Sequence, residues 1–276
     1  VAKRIASTVL LWLAIFAVLW FFRTAGAVVA IVAVSVLTLR ELYGLMAAAG
    51  DAPFARLGLL FGGLITLAPW TESRLHLPAH PLIALATVVF SVRILSERSS
   101  EKRLEALTST LFGLVYVSLL LQYLVRIVTP VDGDTIQPEG RLVLCLWVVA
   151  VAKFCDVGAL LCGLAFGRHP MAPAISPKKT WEGAAGGILV AAGVGALVFW
   201  LGRGVLPAAM SPLRGALLAA PLAAVAIVSD LVESVIKRRA ARKDSGGGVP
   251  GIGGIFDLSD SLILAAPVGY FLLGLP

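Results

Sequence analysis

Nine apolar runs, at 5–22, 25–39, 56–70, 81–95, 107–125, 141–164, 184–202, 213–229 and 257–275, divide this chain, each about long enough to cross a bilayer as a helix. Gly and Pro punctuate the segments between them. No polar segment exceeds about thirty residues, less than a domain needs. With 59% hydrophobic and 14% charged residues and a mean hydropathy of +0.94, an ordinary soluble domain is excluded. The expected fold is an all-α, polytopic integral membrane protein of about nine transmembrane helices. Five spans fall in an N-terminal region (1–140), and four, with two polar loops, in a C-terminal region (141–276). The first run follows Lys3 and Arg4 but lacks a small-residue cleavage site before a polar mature chain, so it is expected as a retained helix.

The basic residues orient the chain. Sixteen of the 23 Lys and Arg residues lie at the N-terminus and in the even-numbered loops, six lie on the opposite side, and Lys153 lies within a span. The N-terminus is therefore expected in the cytoplasm and the C-terminus outside. The net charge of +7 reflects these loops, which attract anionic lipid and phosphates, and is not read as nucleic-acid binding. Cys145, Cys155 and Cys162 share one apolar run without a CxxC or a partner His, and read as buried small apolar residues. The outside loops carry His76 and His80, which are assigned no role, and Asp132-Gly133-Asp134, which lacks a calcium loop's downstream ligands and reads as a solvated turn.

Chemistry concentrates in residues 229–260, SDLVESVIKRRAARKDSGGGVPGIGGIFDLSD, between the last two apolar runs. Asp230, Ser234 and Lys237 at i, i+4 and i+7 share a helix face, with Glu233 adjacent to it. Asp257 and Asp260, at i and i+3, open the ninth span. Oxygen ligands on two helices entering from one side of the membrane suit Mg²⁺, and Lys237 suits a phosphate. Between them lie Lys243, Asp244 and a loop rich in glycine, including Gly251, Gly253 and Gly254, whose N–H groups can turn toward an anion. The bland reading is a flexible basic linker whose acids cap a helix.

A second constellation runs from Lys153 and Asp156 to residues 176–183, SPKKTWEG. Charges inside an apolar run are costly, so Asp156 reads as functional or as paired with Lys153 three residues earlier. Lys178 and Lys179 offer phosphate partners, Ser176 and Thr180 hydroxyls, and Glu182 a carboxylate; Trp181 seats at the interface or stacks on a base. As a juxtamembrane patch, the same residues would bind anionic lipid.

Ser234–Arg238 (SxxKR), KDSG at 243–246 and PGxGGxxDxxD at 250–260 resemble the CDP-diacylglycerol synthase (phosphatidate cytidylyltransferase) family. Asp156–Ala159 (DxGA) followed by SPKKTWEGxxGG at 176–187 looks like that family's other block. The resemblance covers roughly the last 130 residues; the first five spans match in character only. It implies Mg²⁺-dependent reaction of CTP with phosphatidate to CDP-diacylglycerol and pyrophosphate, with Asp230, Asp257 and Asp260 as metal ligands and Ser234 and Lys237 beside them. On this reading Lys237, Lys178, Lys179, Asp156, Lys243 and Asp244 serve catalysis. Ser176, Thr180, Glu182, Ser234, Arg238, Gly251, Gly253 and Gly254 hold substrate. A monovalent cation such as K⁺ and a homodimer are further family expectations, and the compact chain points to a bacterial inner membrane with a cytoplasmic active site. Three positions depart from the family pattern: Ile252 stands for His, Leu258 for Arg and Leu160 for Tyr. The alternatives are a CTP-dependent polyprenol or lipid kinase, a CDP-lipid synthase for another lipid, and a non-catalytic paralogue or ion-coupled carrier. Replacing Asp257 by Asn is expected to abolish CTP-dependent product.

Overall fold

The computed structural model describes residues 2–75, 81–96, 100–131, 133–242, 244–246 and 253–275. His76, His80, Asp132, Lys243, Gly251 and Ile252 lie outside the described residues. The fold is all-α but for one small hairpin. Its helices are α1 (Ala2–Ala48), α2 (Ala55–Leu75), α3 (Pro81–Arg93), α4 (Ser100–Gly113), α5 (Leu120–Val128), α6 (Pro138–Phe166), α7 (Trp181–Leu201), α8 (Pro212–Arg239) and α9 (Ile255–Leu273). Among the described residues, six helices are long and apolar enough to cross a membrane: Phe22–Ala48, Arg103–Val128, Pro138–Phe166, Trp181–Gly204, Pro212–Arg239 and Ile255–Leu273. The expected runs 5–22 and 25–39 form one helix, α1, broken at Arg23, whose φ of 47° and ψ of −131° leave the helical region. α2, of 21 residues with Pro69 inside, and α3, of 13, take up the runs 56–70 and 81–95. A π-helical turn over Leu114–Leu119 joins α4 to α5.

The chain divides into two compact units, the first comprising Val1–Val125 and Ile236–Ser259. Its core gathers Leu39, Leu42, Tyr43, Phe90 and Leu114, all at most 2% exposed. Small residues let these helices close up. A Cβ at Gly58 would come within 2.6 Å of the Tyr43 ring, and one at Gly113 would also strike it. Hydroxyls satisfy one another inside the packing: Ser35 Oγ lies 2.7 Å from Thr66 Oγ1, and the Tyr43 hydroxyl donates to Thr110 O at 2.9 Å.

The second unit comprises Arg126–Val235 and Asp260–Pro276. α6 starts with Pro138 in its first turn, where the missing N–H costs nothing, and Glu139 beside it suits the positive end of the helix dipole. It stops at Gly167, whose N–H donates to Gly163 O. Strands β1 (Pro170–Ala172) and β2 (Ser176–Thr180) then form an antiparallel hairpin, pairing Pro170 with Thr180 and Ala172 with Ser176. This hairpin is an addition to the helical expectation. Thr180 ends it and caps α7, its Oγ1 accepting from Gly183 N at 3.1 Å. α6 and α7 pack through glycine. A Cβ at Gly158 would sit 2.7 Å from Val190 Cβ, one at Gly183 2.8 Å from Ala159 O, and one at Gly187 2.8 Å from Cys155 O.

Two sequence readings are corrected in this unit. Asp134 does not stand in a solvated turn: it ion-pairs with Arg141, whose side chain is 0% exposed and whose Nη1 also donates to the Arg126 and Ile127 carbonyls at 3.2 Å. A guanidinium that deep needs a carboxylate partner, and Asp134 is drawn in to supply it. Of the three cysteines only Cys155 is fully buried; Cys145 and Cys162 are half-buried, and all three thiols are free.

Candidate active site

The site is built from four elements of the second unit. α8 brings Asp230 and Glu233, one turn apart on the same face. α9 brings Asp260. The carboxylate oxygens of these three acids lie within 4.8 Å of one another. Three negative charges that close require a cation or cationic side chains among them. Asp230 and Asp260 each meet a lysine. Lys179, at the end of β2, places Nζ 2.5 Å from Asp230 Oδ2. Lys153, on α6, places Nζ 3.2 Å from Asp260 Oδ1 and 3.4 Å from Asp156 Oδ2. Ser229, fully buried, donates its hydroxyl to Asp260 O and accepts from Leu264 N at 3.2 Å, which pins α8 to α9 at the acids.

Beside Asp230 opens a cleft of about 300 Å³. One side is polar, with Asp156, Lys178, Lys179, Thr180 and Asp230; the other is apolar, with Leu160, Leu164, Met171 and Ile227. Lys178 is exposed while Lys179 is half-buried, so successive strand residues send one lysine to solvent and one to the acids. Ser176, at the start of β2, is half-buried and is not among the cleft-lining residues. Glu182 turns to the segment before β1. It accepts from Arg168 N at 3.1 Å and His169 N at 3.2 Å, and lies 2.5 Å from His169 Nδ1, so it holds the hairpin's base.

The remaining candidates belong to the first unit. Lys237 Nζ donates to Asp257 Oδ1 at 2.9 Å. The other Asp257 oxygen accepts from Ser245 N at 3.1 Å and from Gly254 N at 2.8 Å, so the carboxylate caps the start of α9 and joins the two ends of the glycine-rich loop. Gly253, with φ of +121°, needs to be glycine, because a Cβ would also lie 2.6 Å from Asp257 Oδ2. Gly254 packs equally tightly, a Cβ there striking Glu41 Oε2 and Ser245 Oγ. Arg238 and Asp244 are exposed and Ser234 is half-buried on α8. Lys243 and Gly251 lie outside the described residues.

The profile of the Cytidylyltransferase family matches residues 2–275. The chain belongs to this family. A phosphatidate cytidylyltransferase of Synechocystis sp. is 30% identical over 277 residues, covering 91% of this chain and 88% of that protein. One from Mycobacterium leprae is 37% identical over 168 residues, 61% of this chain and 50% of that protein. One from Pseudomonas aeruginosa is 41% identical over 125 residues, 45% of each. The chain thus spans about half the length of the mycobacterial relative it matches.

In this cytidylyltransferase-family chain, the three acids brought together are Asp230, Asp260 and Glu233. Glu233 is the one that sequence reasoning left beside the site; its i, i+3 spacing from Asp230 was the available signal. The i, i+3 spacing signals Asp156 as a partner for Lys153, and the fold adds Asp260 as a second. Glu41, on α1, also takes part in the loop's packing. Its Oε2 accepts from Ser245 Oγ at 2.8 Å and Phe256 N at 2.9 Å, and no local pattern announces a contact so distant in sequence.

Proposed function

We propose that the chain is a phosphatidate cytidylyltransferase. It transfers a cytidylyl group from CTP to phosphatidate, giving CDP-diacylglycerol for phospholipid synthesis and releasing pyrophosphate. The reading includes a bacterial inner membrane, about nine spans, a cytoplasmic N-terminus and active site, an outside C-terminus, a homodimer, and assistance by a monovalent cation such as K⁺. The observation that carries it is the meeting of Asp230, Glu233 and Asp260 beside a cleft walled by Lys178, Lys179 and Thr180. The names of the relatives, each a phosphatidate cytidylyltransferase, support the same conclusion.

A set of carboxylate oxygens with room left for water and phosphate fits Mg²⁺, and Asp230, Glu233 and Asp260 are the residues that would hold it, with Asp257 retained as a candidate ligand from the family resemblance. Bound there, the ion would neutralise phosphate charge and polarise a phosphoryl oxygen. The chain's own groups meet the main obstacle, which is to bring two polyanions together. Lys178 and Lys179 hold phosphate oxygens at the polar side of the cleft, and Leu160, Leu164 and Ile227 offer an apolar side to the lipid. The lipid phosphate monoester carries its own ionised oxygen, so orientation for in-line attack on the α-phosphorus matters more than a strong protein base.

The test is an assay of the purified chain in liposomes with labelled CTP and phosphatidate, both products being read. The expected result is CDP-lipid and pyrophosphate in equal amounts, lost on chelation of divalent ions. Phosphorylated lipid with CDP would make the chain a CTP-dependent lipid kinase instead. No product and no Mg²⁺-dependent CTP binding would overturn the catalytic reading.

A further inference from the structure

Glu182 lies in the first turn of α7, just beyond Lys179 and Thr180, yet it is not among the residues that line the cleft. Both of its carboxylate oxygens face the segment between α6 and β1. Oε2 accepts from the backbone N–H groups of Arg168 at 3.1 Å and His169 at 3.2 Å, and Oε1 lies 2.5 Å from His169 Nδ1. Successive N–H groups converging on one oxygen are a common way for a backbone to hold an anion, here the chain's own carboxylate. Beside them Trp181 N donates to His169 O at 3.0 Å. The open end of the β1–β2 hairpin is therefore fastened to the start of α7.

The fastening matters because of what it carries. Lys178 and Lys179 come immediately before Thr180 on β2, and all three line the cleft. Lys179 Nζ reaches Asp230 on α8. Thr180 is seated on the end of α6, where a Cβ at Gly167 would meet its Oγ1 at 2.9 Å and its Cγ2 at 3.0 Å. The placement of both ammonium groups is thus set by how the hairpin's base sits on the ends of α6 and α7. An acid in a helix's first turn already suits the dipole, but the dipole does not call for bonds back to residues 168 and 169. We propose that Glu182 is a positioning residue: it does not touch substrate, and by tying Arg168 and His169 to α7 it holds Lys178 and Lys179 where they meet phosphate. The inference rests on the proposed function, in which those lysines hold phosphate oxygens. Displacing such a group by about 1 Å costs up to about a hundredfold in rate, so a tie outside the cleft carries weight in the reaction.

The experiment has two readouts on the purified chain. The first, without substrate, is the rate at which acetic anhydride acetylates Lys179, followed by mass spectrometry. Glu182→Ala is expected to raise that rate about threefold or more, since a loosened hairpin frees the ammonium from Asp230. The second is a double-mutant cycle in kcat/KM for CTP, in liposomes with phosphatidate. Glu182→Ala is expected to lower kcat/KM about tenfold or more in the wild-type background, with KM for CTP raised. In a Lys178→Met, Lys179→Met background the same change should lower it less than about twofold, because the groups it positions are gone. A merely structural glutamate would lower the amount of active protein, and so the apparent kcat, by one factor in both backgrounds at unchanged KM. That result, or an unchanged acetylation rate, overturns the proposal. Should Glu182→Ala fail to fold, Glu182→Asp keeps the charge, withdraws it by one methylene, and goes through both readouts under the same criteria. A wild type that makes no CDP-lipid, with Lys179 acetylation still governed by Glu182, would sink the proposed function and leave the positioning of the lysines standing. A wild type that makes CDP-lipid, with both readouts insensitive to Glu182, would do the reverse.

Discussion

Glu41 accepts a hydrogen bond at 2.9 Å from the backbone N–H of Phe256, 215 residues later in the chain. The same oxygen accepts from the Ser245 hydroxyl at 2.8 Å. One carboxylate on α1 therefore caps the first turn of α9 and anchors the near end of the glycine-rich loop. Glu41→Ala leaves a helix-terminal N–H and a hydroxyl without this acceptor and is expected to cost about 1–2 kcal/mol. Thermal unfolding in detergent measures it. Glu41→Gln keeps an acceptor and should recover at least half of the loss; equal stability of the alanine variant and wild type would refute the cap.

The α6–α7 contact should be the least tolerant of added volume. A Cβ at Gly187 would sit 2.8 Å from Cys155 O and 3.2 Å from Ala159 N, both backbone atoms of the facing helix. Neither can swing aside as a flexible side chain would. Gly187→Ala is expected to destabilise by about 1–3 kcal/mol despite alanine's better helix propensity. Gly193, with nothing within 4 Å of a built Cβ, is the control, and Gly193→Ala should leave the unfolding temperature unchanged or slightly raised.

The helical class and the motif-bearing segments were legible in the sequence, because length and hydropathy decide what can cross a membrane, but among the described residues six helices, against nine expected spans, are long and apolar enough to do so. Even the break in α1 falls at Arg23, the charge between two apolar runs. Partners across helices were less accessible. Periodicity grouped Asp230 with Ser234 and Lys237, yet Lys237 meets Asp257, and the adjacent residue Glu233 meets Asp260. A helix wheel cannot tell which of two neighbouring faces another helix will cover. The hairpin was hidden for another reason: strands of 3 and 5 residues interrupted by prolines carry too little alternation to read. Lys153 illustrates both limits, its Asp156 partner being visible at i+3 and its Asp260 partner supplied by α9.

Arg141 gives a prediction remote from the acids. Its side chain is fully buried, paired with Asp134, and donates to two carbonyls at the end of α5. Arg141→Ala strands Asp134, 8% exposed, beside carbonyls that have lost a donor. The expected loss is about 3–5 kcal/mol. Arg141→Lys should recover only part of it, since one ammonium cannot reproduce the planar fork that reaches the carboxylate and both carbonyls. Chemical denaturation in detergent would decide; an unchanged midpoint for Arg141→Ala would contradict the arrangement.

Glu233 and Asp257 should separate binding of a cation from support of the fold. Glu233 is 1% exposed and adds a third negative charge to Asp230 and Asp260. Glu233→Gln removes one of the three carboxylates that meet there. Added Mg²⁺ should stabilise wild type by mass action, by about 2.7 kcal/mol at a hundredfold excess over Kd, and stabilise the variant far less. Asp257→Asn is different in kind. That carboxylate accepts from Lys237, Ser245 N and Gly254 N, so the variant should lose stability with or without Mg²⁺, as well as CTP-dependent product. The same Mg²⁺ increment in Glu233→Gln as in wild type would remove Glu233 from the cation site, because a ligand that binds only the folded state must stabilise it in proportion to its affinity.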